Sequence, residues 1–486
     1  MITSLKRLLE WGLPTNLFDR GVAVLAIGTF GAQGILLLAA PMLTRLYSLE
    51  DFGLLAIYSG TLSLIVSVSS LSYQLAIPIS QDDEEAANIV MLSLVMVCMT
   101  ALLTLLVMLD LNGQIAELLN ITKFADYLFL LPIGVLLAGF YQVFNYWNTR
   151  NKNFSEVAKT RISQSLTSVV IQICGFKFGA VSLLLGQISG QSAGTARLSR
   201  IALLSSEFKR ISWKGVAKAA SRYRRFPIFS AWGAALNTAG VFLPTFFIIT
   251  FFGPAAAGLY GLANRVLSTP IQAVSGAVSK TFFSYAKDAK ETEQIGRLVS
   301  DTFHKLILII FLPMFIISLV GPNFFGFVFG EKWAPLGELV RYMAIWIGLQ
   351  FVTSPLTAVF FVYERQHHGL VFQVLLVFFR ILGLGLGAWS NDLITTIVLF
   401  SVCNAICYLG CLIWIFVITK VKLFEILLSS VHALIFGLIV CAPLVICELV
   451  FSSKHSWAIG LVGIMMFVPL WAPRFRKVLS KDLLAI

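Results

Sequence analysis

Charged residues are scarce in this sequence. Of its 486 residues only 12% are Asp, Glu, Lys or Arg, whereas 58% are hydrophobic, and the mean hydropathy is +0.86. A water-soluble domain has about 25% charged residues, because it needs a mostly polar surface. The sequence holds too few polar residues to build such a surface. The composition therefore excludes a soluble globular protein and predicts an all-α polytopic membrane protein.

Sequence signatures of an enzyme or a metal site are missing as well. There is no Walker-type glycine-rich loop and no zinc-binding spacing, and the five histidines are scattered. Cys403, Cys407 and Cys411 share one helix face by their spacing, but no His or carboxylate lies nearby to complete a metal site. We therefore predict no metal, no cofactor and no enzymatic activity, and we interpret these cysteines as small residues at a helix contact.

The apolar sequence divides into fourteen runs, each near the roughly 20 residues that a membrane-spanning helix requires. The fifth run is the weakest, because Lys159 and Arg161 lie in its first turn. The predicted spans cover residues 21–44, 53–80, 86–109, 127–149, 157–176, 178–196, 227–250, 255–279, 306–330, 342–363, 368–391, 393–419, 426–447 and 456–473.

Basic residues are distributed unequally between the two sides of these spans. Most of the 36 Lys and Arg fall in segments that share a side with both termini, and the segment 197–225 is the longest of them. The positive-inside rule therefore predicts cytoplasmic N- and C-termini. Anionic membrane lipids at that surface account for the net charge of +12. No basic patch alternates with aromatic residues outside the spans, so we expect no nucleic-acid partner.

A weak internal repeat lies on either side of the basic segment 197–225. Residues 48–60, SLEDFGLLAIYSG, align with residues 253–265, GPAAAGLYGLANR, so that Gly53 matches Gly258 and Leu54 matches Leu259. Each stretch follows the first span of its half and opens the second. Repeats of this kind are common in transporters, whose substrate sites lie between the halves.

Two stretches resemble bacterial polysaccharide flippases of the multidrug, oligosaccharidyl-lipid and polysaccharide exporter superfamily. LTRLYSLEDFGLLAIYSG at residues 43–60 resembles the first loop of that family, whose usual form is R-x-(L/Y)-x-P-x-(D/E)-(F/Y)-G, and residues 224–283 resemble the start of its second half. The sequence departs from the usual form at Leu49, where the family has proline, whereas the second half keeps Pro254. We expect this departure to affect a turn and not the chemistry.

The resemblance implies about fourteen transmembrane helices, as two six-helix bundles around a central cavity plus two C-terminal helices. The bundles are expected at residues 1–198 and 226–419, with a basic linker at 199–225 and a final part at 420–486. The implied activity is the flipping of polyprenyl-diphosphate-linked oligosaccharide repeat units, by alternating access, to the periplasmic leaflet of the bacterial inner membrane. A monomer is expected, with membrane lipids, a polysaccharide polymerase and an initiating glycosyltransferase as partners.

Arg265 is the only charged residue between Phe226 and Ser279. A charge in the middle of a bilayer costs at least about 2.5–3.5 kcal/mol on insertion scales, which makes this arginine a functional candidate. A planar guanidinium pairs bidentately with phosphate oxygens, so we expect Arg265 to contact the diphosphate and Asn264 to contact sugar hydroxyls. The alternative is that Arg265 caps helix carbonyls or extends to a membrane interface.

Four further residues are candidates for the same substrate-binding site. Arg380 lies near the centre of the eleventh span, where it contacts either substrate or helix carbonyls. Arg45, at the outer end of the first span, either receives the diphosphate or anchors the helix at the interface. Gln142 and Asn145 share a face of the fourth span, as sugar-binding amides or within an interfacial aromatic belt. Four other amides line the cavity or join helices by hydrogen bonds: Gln164, Gln172, Gln187 and Gln191.

Carboxylates are absent from the membrane interior of the predicted spans. None of the 24 Asp and Glu falls in the middle third of a span. A cation- or proton-coupled multidrug exporter, the nearest alternative function, is expected to hold a buried acid as its coupling site. The alternative of another class is a membrane polysaccharide polymerase or glycosyltransferase, but the longest outer loop, near residues 110–126, is too short for a catalytic domain.

Overall fold

The computed structural model describes residues 17–118, 122–291 and 294–422, together with residues 431, 437–444, 446, 457–458 and 462. The described chain is helical. Its principal helices are α1 Leu17–Leu46, α2 Leu49–Ser69, α3 Asp83–Leu118, α4 Leu131–Arg150, α5 Phe154–Cys174, α6 Ala180–Leu203, α7 Trp213–Arg222, α8 Ala231–Glu291, α9 Ile295–Phe329, α10 Leu336–Leu356, α11 Gln366–Ala388 and α12 Leu393–Ile418. A short helix, Val359–Val362, lies between α10 and α11.

The helices agree with most of the predicted spans where both are described, but the second span, predicted to reach residue 80, ends as α2 at Ser69 and is followed by a 3₁₀ helix, Tyr73–Ile79. Nine segments of the described chain are long and apolar enough to cross a membrane. The helices α5 and α6, which are more polar, coincide with the predicted fifth and sixth spans. The last two predicted spans lie largely outside the described residues. The prediction of an all-α polytopic membrane protein is confirmed.

Two long helices, α8 and α9, bend at a Gly-Pro step. Gly253 has φ 80° and ψ 178°, and Gly321 has φ 67° and ψ −172°, a backbone region that is essentially open to glycine alone. Each glycine precedes a proline, Pro254 or Pro322, which lacks the N–H that a continuous helix would need. The predicted seventh and eighth spans are therefore the two segments of α8, residues 231–252 and 254–291.

The turn between α1 and α2 ends in a capping box. The Ser48 hydroxyl oxygen accepts a hydrogen bond from the Asp51 N–H at 3.1 Å, and the Ser48 N–H donates to Asp51 Oδ2 at 2.9 Å. Leu49 is thereby the first residue of α2, a position that proline often takes in other helices. The departure from the family form at Leu49 is accommodated because the capping box begins the helix without proline.

The chain forms two compact units, Met1–Gly258 and Leu259–Ile486. The core of the first unit joins α3, α4, α7 and the end of α6, with Val143, Trp147 and Leu198 buried at its centre. In the second unit, Trp333 and Phe400 are among the largest fully buried side chains. The predicted domain boundaries near residues 198 and 225 stay a prediction.

The repeated glycines make matching backbone contacts within the first unit. A Cβ atom added to Gly53 would lie 1.9 Å from the carbonyl oxygen of Pro254, and one added to Gly258 would lie 2.1 Å from the carbonyl oxygen of Leu49. The alignment of the repeat pairs Leu49 with Pro254 and Gly53 with Gly258. The two contacts are therefore equivalent under the repeat, as at a two-fold interface. We call this pair of contacts the glycine crossing.

Candidate functional site

Arg265 lies in the second segment of α8, at a position that its neighbours help to define. Leu262, Ala263 and Leu267 are buried, whereas the Arg265 side chain is exposed. Within the described part of the chain its guanidinium has no hydrogen-bond or ion-pair partner. An arginine in an apolar span is tolerated where it meets protein polar groups or water. This position therefore suits a wet surface at which the guanidinium remains available to an anion.

Asn264 precedes Arg265 and is half-buried. Its Oδ1 accepts a hydrogen bond from the Ser268 hydroxyl at 2.9 Å, one turn further along α8. This bond orients the amide and leaves its NH₂ group as a donor. A sugar hydroxyl can accept from such a group.

Arg380 is buried between α11 and α12. Its side chain is only 9% exposed, and its Nε donates to Asn404 Oδ1 at 3.1 Å. Asn404 is fully buried and donates from Nδ2 to the Phe400 carbonyl oxygen at 2.7 Å, which orients its Oδ1 toward the arginine. The predicted alternative for Arg380 was pairing with helix carbonyls, whereas the partner described here is a side-chain amide on the neighbouring helix. Contact with substrate stays a prediction.

The predicted amide face of α4 is present as a set of half-buried and buried side chains. Gln142 and Asn145 are half-buried, and the Oε1 atom of Gln142 is buried without a hydrogen-bond partner in the described structure. Asn148, on the same face, is fully buried and donates to the carbonyl oxygens of Phe144 and Leu198. Asn148 thus joins α4 to α6, whereas Gln142 Oε1 is buried without a partner among the described residues.

Arg45 lies in the last turn of α1, beside the turn that leads into α2. Its side chain is exposed. The neighbouring Tyr47 is buried, and its hydroxyl donates to the Gln172 carbonyl oxygen of α5. Tyr47 and the capping box at Ser48 fix this turn, so that the backbone of Arg45 is held in place.

Several polar contacts that join helices of the first unit were not predicted as pairs. Arg161 of α5 donates to the Thr29 hydroxyl of α1. The Ser59 hydroxyl of α2 donates to Gln187 Oε1 of α6 at 2.8 Å. Two more glutamine contacts join α5 to α6: Gln164 Nε2 to Gln191 Oε1 at 3.3 Å, and Gln172 Nε2 to the Leu183 carbonyl oxygen at 3.0 Å. These glutamines therefore serve as interhelical hydrogen-bond groups, one of the two predicted alternatives.

The second unit contains an apolar cavity of about 890 Å³. Its walls come from α9, α10 and α12, with Phe311, Met314, Leu349 and Phe416 among the lining side chains. Ser318 is the one hydroxyl residue in a lining that is otherwise hydrocarbon, aromatic, thioether or glycine. A cavity of this composition suits a long apolar chain and has too few hydrogen-bonding groups to bind a sugar.

The predicted site residues are shared between the two units. Arg45, Gln142 and Asn145 belong to the first, and Asn264, Arg265 and Arg380 to the second. The described residues contain no group of His, Cys, Asp and Glu that could hold a metal ion. What these side chains offer is binding: an available guanidinium, oriented amides and an apolar cavity.

Solved structures with the same fold identify the class of this protein. The chain matches the lipid II flippase MurJ in an inward closed conformation with a TM-score of 0.73, over 94% of this chain and 100% of that one, at 11% sequence identity. It matches an inward-facing multidrug resistance MATE family transporter of the MOP superfamily with a TM-score of 0.63, over 81% and 98% of the two chains, at 14% identity. The protein therefore has the same fold as these two solved structures.

The family follows from the sequence matches. The model of the family described as polysaccharide biosynthesis protein matches residues 42–338, and the chain belongs to this family. The lipopolysaccharide biosynthesis protein WzxC of Escherichia coli (strain K12) is 23% identical over 385 residues, covering 74% of this chain and 73% of that protein. The teichuronic acid biosynthesis protein TuaB of Bacillus subtilis (strain 168) is 23% identical over 233 residues, covering 46% and 47%. The predicted resemblance is confirmed, as is the prediction that the chain is not an enzyme.

Proposed function

We propose that this protein flips polyprenyl-diphosphate-linked oligosaccharide repeat units across the bacterial inner membrane. The substrate enters from the cytoplasmic leaflet and leaves to the periplasmic leaflet by alternating access, for the synthesis of a surface polysaccharide. Family membership and the transporter fold support a role in moving a polysaccharide precursor. The names of WzxC and MurJ, a lipopolysaccharide biosynthesis protein and a lipid II flippase, support a substrate of the lipid-linked saccharide class.

The observation that carries the proposal is the guanidinium of Arg265, which is exposed within an apolar helix and has no partner among the residues that the structure describes. A diphosphate that crosses a bilayer needs positive charge along its route, because an unpaired anion in hydrocarbon is very costly. The guanidinium offers two parallel N–H groups to phosphate oxygens. Asn264, the residue before Arg265 on the helix, then contacts the first sugar.

The apolar cavity of the second unit supports the same substrate class, because it suits the lipid part of such a substrate. A polyprenyl chain is a long hydrocarbon, and the cavity offers hydrocarbon, aromatic and thioether surface with a single hydroxyl residue. A lipid-linked substrate combines a phosphate, which a guanidinium binds, with a hydrocarbon chain, which an apolar cavity accommodates. A soluble sugar nucleotide needs no such cavity.

The proposal includes an orientation and a place in a biosynthetic sequence. The excess of Lys and Arg in one set of segments supports cytoplasmic N- and C-termini. An initiating glycosyltransferase must supply the lipid-linked unit on the cytoplasmic side, and a polymerase must consume it on the other. We propose a monomer as the working state.

The test is translocation by purified protein in liposomes. A fluorescent polyprenyl-diphosphate oligosaccharide is loaded, and its exposure on the far leaflet is followed for the wild-type protein, Arg265→Ala and Arg265→Lys. We expect wild-type protein to move the lipid, Arg265→Ala to slow it at least about tenfold, the effect of one lost charge-assisted contact, and Arg265→Lys to retain part of the rate.

A matched control is Arg365→Ala, which removes an exposed arginine from the turn before α11. It should leave the rate unchanged. If Arg265→Ala moves the lipid as fast as the wild-type protein at equal protein levels, Arg265 is structural. If the wild-type protein moves no such lipid, the proposed function is wrong.

A further inference from the structure

The helix α7, within the basic segment 197–225, has one basic and one apolar face. Lys214, Lys218 and Arg222 follow one another at intervals of four residues and therefore share a face. Val216 and Ala219 lie on the opposite side and are buried. A short helix of this pattern has one face for a protein core and another for a charged surface.

Specific contacts fix the orientation of α7 on the first unit. Val216 and Ala219 pack into the core that α3 and α4 also form. The Ser212 N–H donates to Asn88 Oδ1 of α3 at 3.1 Å, and Arg222 Nη1 donates to Glu85 Oε1 at 2.8 Å. Both ends of α7 are therefore attached to α3, and the face with Lys214 and Lys218 is presented outward.

The outward surface around α7 is strongly basic. Every Lys and Arg between residues 197 and 225 is exposed. In the described structure two of them pair with a carboxylate, Arg197 with Glu156 and Arg222 with Glu85. The remaining cations form no such pair: Arg200, Lys209, Arg210, Lys214, Lys218, Arg224 and Arg225. This surface has an excess of positive charge that the protein itself does not neutralise.

Large apolar side chains are exposed next to these cations. Leu203 and Leu204 at the end of α6 are 59% and 76% exposed, and Trp213 at the start of α7 is 71% exposed. The preceding α6 and the following α8 are both predicted to span the membrane, so the segment between them lies at one membrane surface. Apolar and tryptophan side chains beside lysines are typical of helices that lie in a bilayer interface.

We propose that residues 203–225 form an interfacial anchor that binds anionic phospholipid headgroups. Leu203, Leu204 and Trp213 insert at the level of the headgroups, and Lys214 and Lys218 contact lipid phosphates. This binding is separate from the proposed transport of a lipid-linked oligosaccharide. It relies on the proposed topology only in assigning the anchor to the inner leaflet.

The first test measures quenching of Trp213 by brominated lipids. The full-length protein is placed in liposomes of phosphatidylcholine with a minor fraction of phosphatidylglycerol, and bromine is carried by one lipid or the other. The Trp213 signal is the difference between wild-type protein and Trp213→Phe. We expect quenching by brominated phosphatidylglycerol to exceed its mole fraction severalfold, because each lysine near an anionic surface contributes roughly fivefold in affinity. Bromine in both leaflets makes the result independent of the direction of insertion.

The second test uses charge variants with a matched control. Lys214→Gln/Lys218→Gln should bring the enrichment of phosphatidylglycerol most of the way down to its mole fraction, and added salt should lower it in the wild-type protein. Lys177→Gln makes the same charge change as either single lysine substitution, but beyond the start of α6, a helix of 24 residues or about 36 Å, and should have no effect.

Three results would overturn the proposal. Trp213 that is not quenched by either lipid lies outside the bilayer, and quenching that follows mole fraction shows no preference for anionic lipid. If the lysine variants slow translocation of the lipid-linked oligosaccharide yet leave the quenching unchanged, the surface receives substrate and does not bind bulk phospholipid. The translocation assay and the quenching assay are read separately, so failure of one proposal does not imply failure of the other.

Discussion

Arg380 and Asn404 are buried polar residues that form a hydrogen-bonded pair, and we expect the stability of the protein to depend on this pair. The Arg380 Nε donates to Asn404 Oδ1 at 3.1 Å between α11 and α12. Asn404→Leu removes this acceptor and leaves the charge buried, so we expect the free energy of unfolding to fall by about 1.5–3 kcal/mol. In the double variant Arg380→Met/Asn404→Leu the charge is gone as well, and we expect part of that stability to return. Thermal unfolding of the purified variants in detergent measures both.

The double-mutant cycle separates pairing from substrate contact. A coupling energy of about 0.5–3 kcal/mol between the two positions is expected for a direct contact. Additive effects of the two single substitutions would contradict the pairing. Translocation by the folded double variant then tests the predicted substrate contact, because a pair that only joins two helices can be replaced by apolar residues without loss of transport.

Residues with unusual local sequence were predictable, whereas pairings between distant residues were not. Arg265 stands out because every neighbour within two helical turns is uncharged. Arg161, in contrast, appeared only as a residue that weakens its span, and its partner Thr29 is 132 residues away. One sequence holds no information on which distant polar group a half-buried arginine such as Arg161 will meet, since many serines and threonines fit the same role.

Glu156, at the start of α5, joins this helix to α6. Its carboxylate is 2.7 Å from Lys159 Nζ and 2.8 Å from Arg197 Nη2 of α6. The hydrogen bond from Lys159, with support from Arg197, lowers the pKa of Glu156 below its usual 4.5, and partial burial opposes this. A lowered pKa in the folded state stabilises the protein above the usual pKa and loses that effect as the pH falls through the lowered value.

Glu156→Gln should therefore lower the thermal midpoint at neutral pH and have little effect in acid. The expected loss at neutral pH is small, about 0.5–1 kcal/mol, because both pairs are partly exposed. The difference between variant and wild-type midpoints should shrink as the pH falls below about 4.5. Glu364→Gln, at an exposed turn, is the control. A difference that is the same at both pH values would mean that the amide disturbs packing and that the charge has no role.

At the scale of whole elements, the length of the apolar runs predicted the spans. The short helix between two of those spans was not predicted. Twelve predicted spans coincide with described helices because about 20 apolar residues have few alternatives. The basic segment was treated as a linker, yet it contains α7. The signal was present in Ser212, whose hydroxyl accepts from the Gly215 N–H as an N-cap, and in the four-residue spacing of the lysines. The high density of basic residues in this segment made the four-residue spacing hard to distinguish.

The internal repeat acquires a physical meaning at the scale of the whole molecule. In sequence it rested on two identities, Gly53 with Gly258 and Leu54 with Leu259. In the structure each glycine lies against the backbone of the residue that begins the other repeat's helical segment. Any side chain would collide with a carbonyl oxygen there, so the two positions require glycine for the same reason. At the glycine crossing the two copies of the repeat make equivalent contacts with each other.

The glycine crossing leaves no room for a side chain at either glycine. A methyl group at Gly53 would lie 1.9 Å from the Pro254 oxygen, and one at Gly258 would lie 2.1 Å from the Leu49 oxygen. Both obstacles are backbone atoms that cannot rotate away, so α2 and the second segment of α8 must separate. Gly53→Ala and Gly258→Ala should each destabilise the protein by about 1–3 kcal/mol, as overpacking does.

The double variant and a control show whether the two glycine contacts are energetically coupled or independent. Because a single separation accommodates both methyl groups, Gly53→Ala/Gly258→Ala should cost clearly less than the sum of the single variants. Gly233→Ala adds the same methyl group to the first segment of α8, where no described atom beyond the adjoining helix backbone lies within 4 Å, and should be neutral or stabilising. Thermal midpoints in detergent measure all four variants. Full additivity would mean that the two glycines relieve independent clashes, and the repeat would then have no shared interface at this point.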